Sequence, residues 1–287
     1  MANKNDKEPK ALDQLFNQVG TYRNGKDLNE LFSFIKRFPK IGPYNAFLLH
    51  VQKPGSTYVA TAWEWKNKFN RTIKPGARPL VILQPFGPVR FVFDLAETTG
   101  NTPFPEELLQ PFKTEGHLQE KAWKQLMANL ITDGITYHEA DYGVSSAGYI
   151  QRANQEIWKE AGEKNVKVLY QIITNRNHTR EEKFATLAHE LGHLYCGHLG
   201  SPSENWWPDR TLESKEVKEF EAESVAWLVC ERMDIKNPSA QYLSGYLDED
   251  DKIPDVSLET VLRAAGMVES RTLRKFPLRK ENIQNKK

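Results

Sequence analysis

Apolar residues recur at helical spacing in LNELFSFIKRFP (28–39) and again in PYNAFLLHVQ (43–52), which predicts two short helices, the second opened by Pro43 at a helix-start position. The period then changes. RPLVILQPF and VRFVFDLAET are β-branched and aromatic runs on either side of the turn-forming PFGP, and they predict a hairpin. Residues 98–115 carry three prolines and little apolar periodicity, so a domain boundary is expected there. Beyond it a helix at about 116–132 precedes three strand-like runs, GITYHEA, AGYIQRA and VKVLYQIIT. Thr179 and Glu182 form a capping-box pattern that opens a helix from Arg180 to about Cys196, where Gly197 stops it. Further helices are expected at about 213–234 and 257–268. The expected fold class is α+β, with a small module over 1–112 and a larger domain over 113–287 that ends in a helix and a basic tail.

Composition narrows the class. A chain of 287 residues, 39% hydrophobic and 27% charged with a net charge of +1, reads as globular rather than disordered. No apolar run reaches bilayer length and the opening MANKNDKEPK lacks a signal-peptide core, so a cytoplasmic protein with no membrane partner is expected. Cys196 and Cys230 are the only cysteines, which points to reduced thiols. Near-neutrality hides an asymmetry: between Lys36 and Arg90 ten Lys/Arg face a single acid, Glu64, a net +9. An anionic partner is expected. The cations interleave with Phe38, Tyr44, Phe47, Tyr58, Trp63, Trp65 and Phe69, the mixture of charge and flat rings that single-strand binders use. Lys66, Lys68, Arg71, Lys74 and Arg78 are the expected phosphate contacts, and Trp65 or Phe69 the ring that stacks on a base. The tail from Arg271, with seven Lys/Arg against Glu281, reads as a solvated, frayed end.

Chemistry concentrates in ATLAHELGHLYCGHLG (185–200). On a helix Phe184, Leu187, Ala188, Leu191, Leu194 and Tyr195 gather on one side, while His189 and His193 gather on the other with Thr186 and Glu190. Histidines at i and i+4 can converge on one Zn2+, and Glu190 between them can serve as general base. A merely solvated face would place Lys or Glu where Ala185 and Gly192 stand. Of the candidates for a third ligand, His198 falls one position short of Leu199, where a metzincin would carry its third histidine. The other source is ESKEVKEFEAESVAWLVC, in which Glu219, Ala222, Glu223, Ala226 and Cys230 form one stripe and Glu221 lies nearly opposite. Small residues let that stripe approach the histidines. Glu219 then completes a His, His, Glu set for one Zn2+ per chain, and Glu223 accepts the second ring N–H of a ligating histidine. Glu223 as the ligand is the alternative, and Glu213 and Glu216 read as solvated.

ATLAHELGHLYCGH followed by the EFEAESVAWLVCERMDI helix resembles the ImmA/IrrE family of zinc metallopeptidases, minimal gluzincin-like domains. That resemblance implies a zincin-like metallopeptidase fold for the second domain. It also implies that Glu219 is the third ligand, the E-x-x-A-[DNE] element falling on Glu219 to Glu223, with Glu223 where many relatives have Asp or Asn. PYNAFLLH, a Trp/Lys-rich middle and FVFDLAETTG are similar to the single-stranded-DNA-binding domain of ArdC-type antirestriction proteins. Both resemblances imply a zinc endopeptidase coupled to a single-stranded DNA-binding module. It would act in antirestriction and mobile-element defence, or in regulated cleavage of a protein substrate such as a transcriptional repressor. The alternative is a DNA-binding antirestriction shield that does not cleave and whose zinc is structural. An extended substrate is expected to add a strand along the edge of VKVLYQIIT.

Overall fold

In the computed structural model, which describes residues 25–38, 40–84, 87–101, 103–105, 116–141, 147–162, 164–203, 205–235 and 253–285, the chain divides into two units, 1–113 and 114–287. Both mix helices and sheets, so the fold class is α+β. Among the described residues no helix is long and apolar enough to cross a membrane.

The first unit opens with α1 (Gly25–Lys36) and α2 (Pro43–Gln52), close to the two helices the apolar spacing predicts. Leu31, Phe32, Phe34 and Ile35 from α1 and Ala46, Phe47, Leu48 and Leu49 from α2 form its core. The predicted hairpin is β3 (Leu80–Gln84) and β4 (Gly87–Asp94), with β1 (Val59–Ala60) on the other side of β4. Two side chains of α2 close the outer edge of β3. Asn45 exchanges hydrogen bonds of 3.0 and 2.8 Å with the Leu83 carbonyl and amide, and Gln52 does the same at Val81, at 2.8 Å each. A short helix, α3 (Ala62–Lys68), starts in a capping box formed by Thr61 and Glu64. β2 (Thr72–Ile73) pairs with β5 (Thr98–Thr99).

The second unit starts with α4 (Glu120–Leu130) and a sheet in the order β6-β8-β7, formed by β6 (Ile135–Ala140), β7 (Gly148–Ala161) and β8 (Lys164–Asn175). β6 runs parallel to β8 and β7 antiparallel. The strand expected to offer a free edge is therefore central: β8 has β7 on one side, and β6 and β9 (Ile283–Asn285) on the other. The edges of the sheet among the described residues are β7 on one side and β6 on the other. β7 also outruns the AGYIQRA segment, because a register shift between Arg152 and Ile157 lets the polar NQEIWKEA continue the pairing. Behind the sheet lie α5 (Arg180–Tyr195), α6 (Lys215–Arg232) and α7 (Leu258–Leu273).

Through residue 285, the last one described, the tail is not frayed. Arg271, 4% exposed, donates to Asp133 at 2.7 Å, Arg279 donates to the same carboxylate at 2.6 Å, and β9 pairs with β8. Asp133, 1% exposed, also accepts from the Tyr195 hydroxyl at 2.8 Å, so the C-terminal cations neutralise an acid beneath α5. Removing one partner of a buried pair leaves a desolvated charge, which is why such a cluster holds the tail down.

Candidate metal centre

The two histidines owe their placement to the burial of the opposite helix face. Phe184, Leu187, Ala188, Leu191, Leu194 and Tyr195 of α5 are all at most 2% exposed, which fixes the rotation of the helix. His189 and His193 then face α6. Gly192 makes the approach close: a Cβ there would lie 3.0 Å from both Cα and O of Ala222 and 3.2 Å from the Val225 Cβ. Glu219 and Glu223 of α6 are thereby brought against the histidines.

The Nε2 atoms of His189 and His193 lie 3.1 Å apart, and each is 3.7 Å from Oε2 of Glu219. A tetrahedral zinc with bonds of about 2.0–2.2 Å sets its ligand atoms about 3.3–3.5 Å apart. The cluster is within a few tenths of an ångström of that shape. Each histidine also turns its other nitrogen away from the cluster: His189 Nδ1 is 2.8 Å from Glu223 Oε2, and His193 Nδ1 is 3.0 Å from His198 Nδ1. With both Nδ1 atoms occupied, the Nε2 lone pairs are the ones that can take a metal. Two imidazoles and a carboxylate suit Zn2+, and among the described residues this group offers three protein ligands and no fourth.

Electrostatics follow from the same contacts. Burial disfavours the charged form of His189, but the carboxylates of Glu219 and Glu223 outweigh it and raise its pKa to about 10. Glu219, beside two imidazoles, is held well below the usual carboxylate range. Burial dominates at Glu190, which is 7% exposed, and raises its pKa despite the nearby His189 charge and the Ile150 backbone N–H that it accepts. A carboxyl raised toward neutrality beside a metal site can take up a proton and give it back.

Two partners of this centre escape a helical projection. His198 sits just past the end of α5, with Nε2 2.9 Å from Glu221 Oε2. Glu221, 0% exposed, also takes the Ser257 amide at 2.7 Å and both Nη atoms of Arg210. Glu221 is thus a fully engaged buried acid, which no reading of α6 as a half-solvated helix anticipates. Glu213, expected to be solvated, also reaches Arg210 at 3.0 Å.

In the first unit Trp65 corrects an expectation. Its indole is 0% exposed and donates to the Phe93 carbonyl at 2.8 Å, inside an aromatic cluster with Tyr58, Phe69 and Phe104, so it offers no face to a base. Trp63, two residues earlier on α3, is 66% exposed instead, with the Lys68 ammonium 6.0 Å from its ring centre. Lys66 and Arg78 are exposed. Lys68 pairs with Glu64 at 2.8 Å, Arg71 donates to Thr98 at 2.8 Å, and Lys74 donates to the Ala96 carbonyl at 2.8 Å.

Residues 148–230 match the peptidase M78 family model, described as an IrrE N-terminal-like domain. This is the resemblance carried by the ATLAHELGHLYCGH motif and the glutamate helix, and the match runs from the start of β7 almost to the end of α6. No curated protein matches the chain. Among solved structures, the metal-free crystal structure of the antirestriction protein ArdC from plasmid R388 is similar, at 15% identity and a TM-score of 0.35, covering 80% of this chain and 82% of that one.

Proposed function

We propose that the second unit is a zinc-dependent endopeptidase of zincin-like fold. The observation that carries the proposal is the convergence of His189, His193 and Glu219 with a buried Glu190 beside them. Zn2+ held by those three ligands supplies Lewis acidity to a carbonyl oxygen and to water. Three protein ligands rather than four favour catalysis over a structural role, since structural zinc sites are normally closed. Glu190 takes a proton from the attacking water and returns it to the leaving amine. Glu223 holds His189 with Nε2 forward. An extended peptide lies along the outer edge of β7, close to α5: a Cβ at Gly148 would stand 2.8 Å from Thr186 Cγ2. A transcriptional repressor is the kind of protein substrate in view.

Glu190→Gln tests the chemistry. It retains zinc and fold while peptide hydrolysis drops by about 10²- to 10⁴-fold, the usual share of a general base. Zinc analysis and cleavage of candidate partners are measured on one preparation. Parent-like cleavage by the variant would refute the role of Glu190, and an unchanged antirestriction effect without cleavage would favour the non-proteolytic shield.

The first unit is proposed to bind single-stranded DNA, on the strength of its +9 segment and exposed Trp63 and Phe91, 66% and 55% accessible. In the full-length protein, binding weakens steeply with salt, and Lys66→Glu with Arg78→Glu lowers the log–log slope by about 1.4, at about 0.7 for each phosphate no longer neutralised. A slope that does not change removes both residues from the interface.

A further inference from the structure

The two histidines of the centre are supported from behind by different means. His189 has a carboxylate, Glu223, directly on Nδ1. His193 has another imidazole. Behind His198 stands Glu221, so a relay runs from His193 Nδ1 to His198 Nδ1 at 3.0 Å, and from His198 Nε2 to Glu221 Oε2 at 2.9 Å.

We infer that His198 and Glu221 are positioning residues for His193, holding it as the Nδ1–H tautomer with Nε2 presented to the metal; the inference rests on the zinc reading above. The proton inventory leads there. Glu221 is fully buried yet accepts from Arg210 and from the Ser257 amide, and donors of that number keep a buried carboxylate ionised. An ionised carboxylate has only acceptors to offer. His198 Nε2 therefore carries a hydrogen and donates it to Glu221. With the metal on Nε2 of His193, the hydrogen of that ring is on Nδ1, and the facing Nδ1 of His198, whose own hydrogen is on Nε2, is the bare nitrogen that accepts it. The lone pair of His193 lies on Nε2, 3.1 Å from its counterpart on His189.

The backbone aims the relay. Gly197, at φ +84°, turns the chain directly after α5, and its carbonyl accepts the Arg210 amide at 2.9 Å. His198 and Arg210 are thereby brought to the same carboxylate. Cys196, His198 and Glu221 also lie close enough together to be considered as a second metal site. The relay leaves two of its three members no lone pair to spare: Glu221 is occupied by Arg210, Ser257 and His198, and the bare nitrogen of His198 by His193, so Cys196 alone could ligate.

The test uses full-length protein stripped with EDTA and titrated with Zn2+ against a chelating dye. The variants are His189→Ala, His198→Leu and His198→Asn. The amide oxygen of Asn stands near the position of the imidazole Nδ1 and can accept from His193, whereas Leu cannot. His198→Leu weakens zinc binding about 10- to 100-fold, the usual effect of losing a partner behind a metal ligand, and His198→Asn restores most of it. Zinc binding in the parent that is lost in His189→Ala establishes the centre; a parent that binds no zinc overturns the zinc reading and this inference together. A parent that binds zinc while His198→Leu binds it equally, or while His198→Asn is as weak as His198→Leu, overturns the relay alone. Two zinc ions per chain would overturn it as well. Nitrogen-15 correlation spectra of the zinc-loaded parent read the tautomers directly and need no variant to fold. They show hydrogen on Nδ1 of His193 and on Nε2 of His198, and the opposite assignment at either ring refutes the inference.

Discussion

Gly192→Ala separates the stability of the second unit from its metal affinity. The new Cβ would meet Ala222 Cα at 3.0 Å and Val225 Cβ at 3.2 Å, whereas carbon pairs prefer about 3.5–4.0 Å. Relief requires α5 and α6 to part by about 0.5–1 Å at this point. For the fold, overpacking costs about 1–3 kcal/mol, offset by the roughly 1 kcal/mol that alanine gains over glycine in a helix. A net loss of about 0–2 kcal/mol follows, a few degrees in Tm at most scales of domain size. Metal geometry is far less tolerant, since zinc sites hold their bond lengths within about 0.2 Å. Glu219, on the displaced helix, is carried out of range. The expected result is zinc affinity reduced at least about tenfold, with melting in EDTA nearly that of the parent. Dye competition and thermal scans on the same samples measure both. Parent-like zinc affinity in Gly192→Ala would mean that close helix approach is not what brings Glu219 to the histidines.

Asp133→Ala strands Arg271, which is 4% exposed, and removes the partner of Tyr195 and Arg279. Urea unfolding is expected to show a loss of about 3–5 kcal/mol, and a loss under about 1 kcal/mol would show that the tail cluster carries little of the fold. Zinc uptake releases protons: with its pKa raised to about 10 in the metal-free protein, His189 carries a proton at pH 7–8 that the metal must displace. Affinity therefore rises with pH, about tenfold per unit for one displaced proton, and levels off above about pH 10. Calorimetry in buffers of different ionisation enthalpy counts the protons; affinity that stays flat between pH 7 and 9 rules out the coupling.

What the sequence made legible were features set by a period. The turn spacing of His189 and His193, the capping box at Thr179 and the small-residue stripe on α6 are local facts, and they describe the faces that meet in the structure. The relay is different in kind. His198 and Arg210 reach Glu221 through a loop that doubles back at Gly197, and a helical projection of α6 shows only that Glu221 points away from Glu219. Trp65 and Trp63 expose the limit on the other unit. Both lie on a seven-residue helix, two positions apart and therefore on different faces; which face is buried depends on Tyr58, Phe69 and Phe104 assembling around Trp65. The full length of β7 is hidden because its second half alternates polar residues with little apolar signal. The basic tail conceals its role because its counter-charge, Asp133, is 138 residues from Arg271 along the chain.

The helix α2 bears on what could pair with the sheet of the first unit. Asn45 and Gln52 satisfy the outward amides and carbonyls of β3 as a neighbouring strand would, yet side chains cannot propagate a ladder. At the far side of that sheet β1 is two residues long. A guest chain finds no template there for main-chain pairing. The DNA single strand proposed above would meet exposed ring faces such as Phe91 instead, which suit flat groups whatever the backbone direction. Among the described residues no strand pairs with the outer side of β7, so the two sheets differ in kind: the long edge of one is closed by side chains of its own unit, and the other leaves an edge along which, under the proposed function, a peptide would lie.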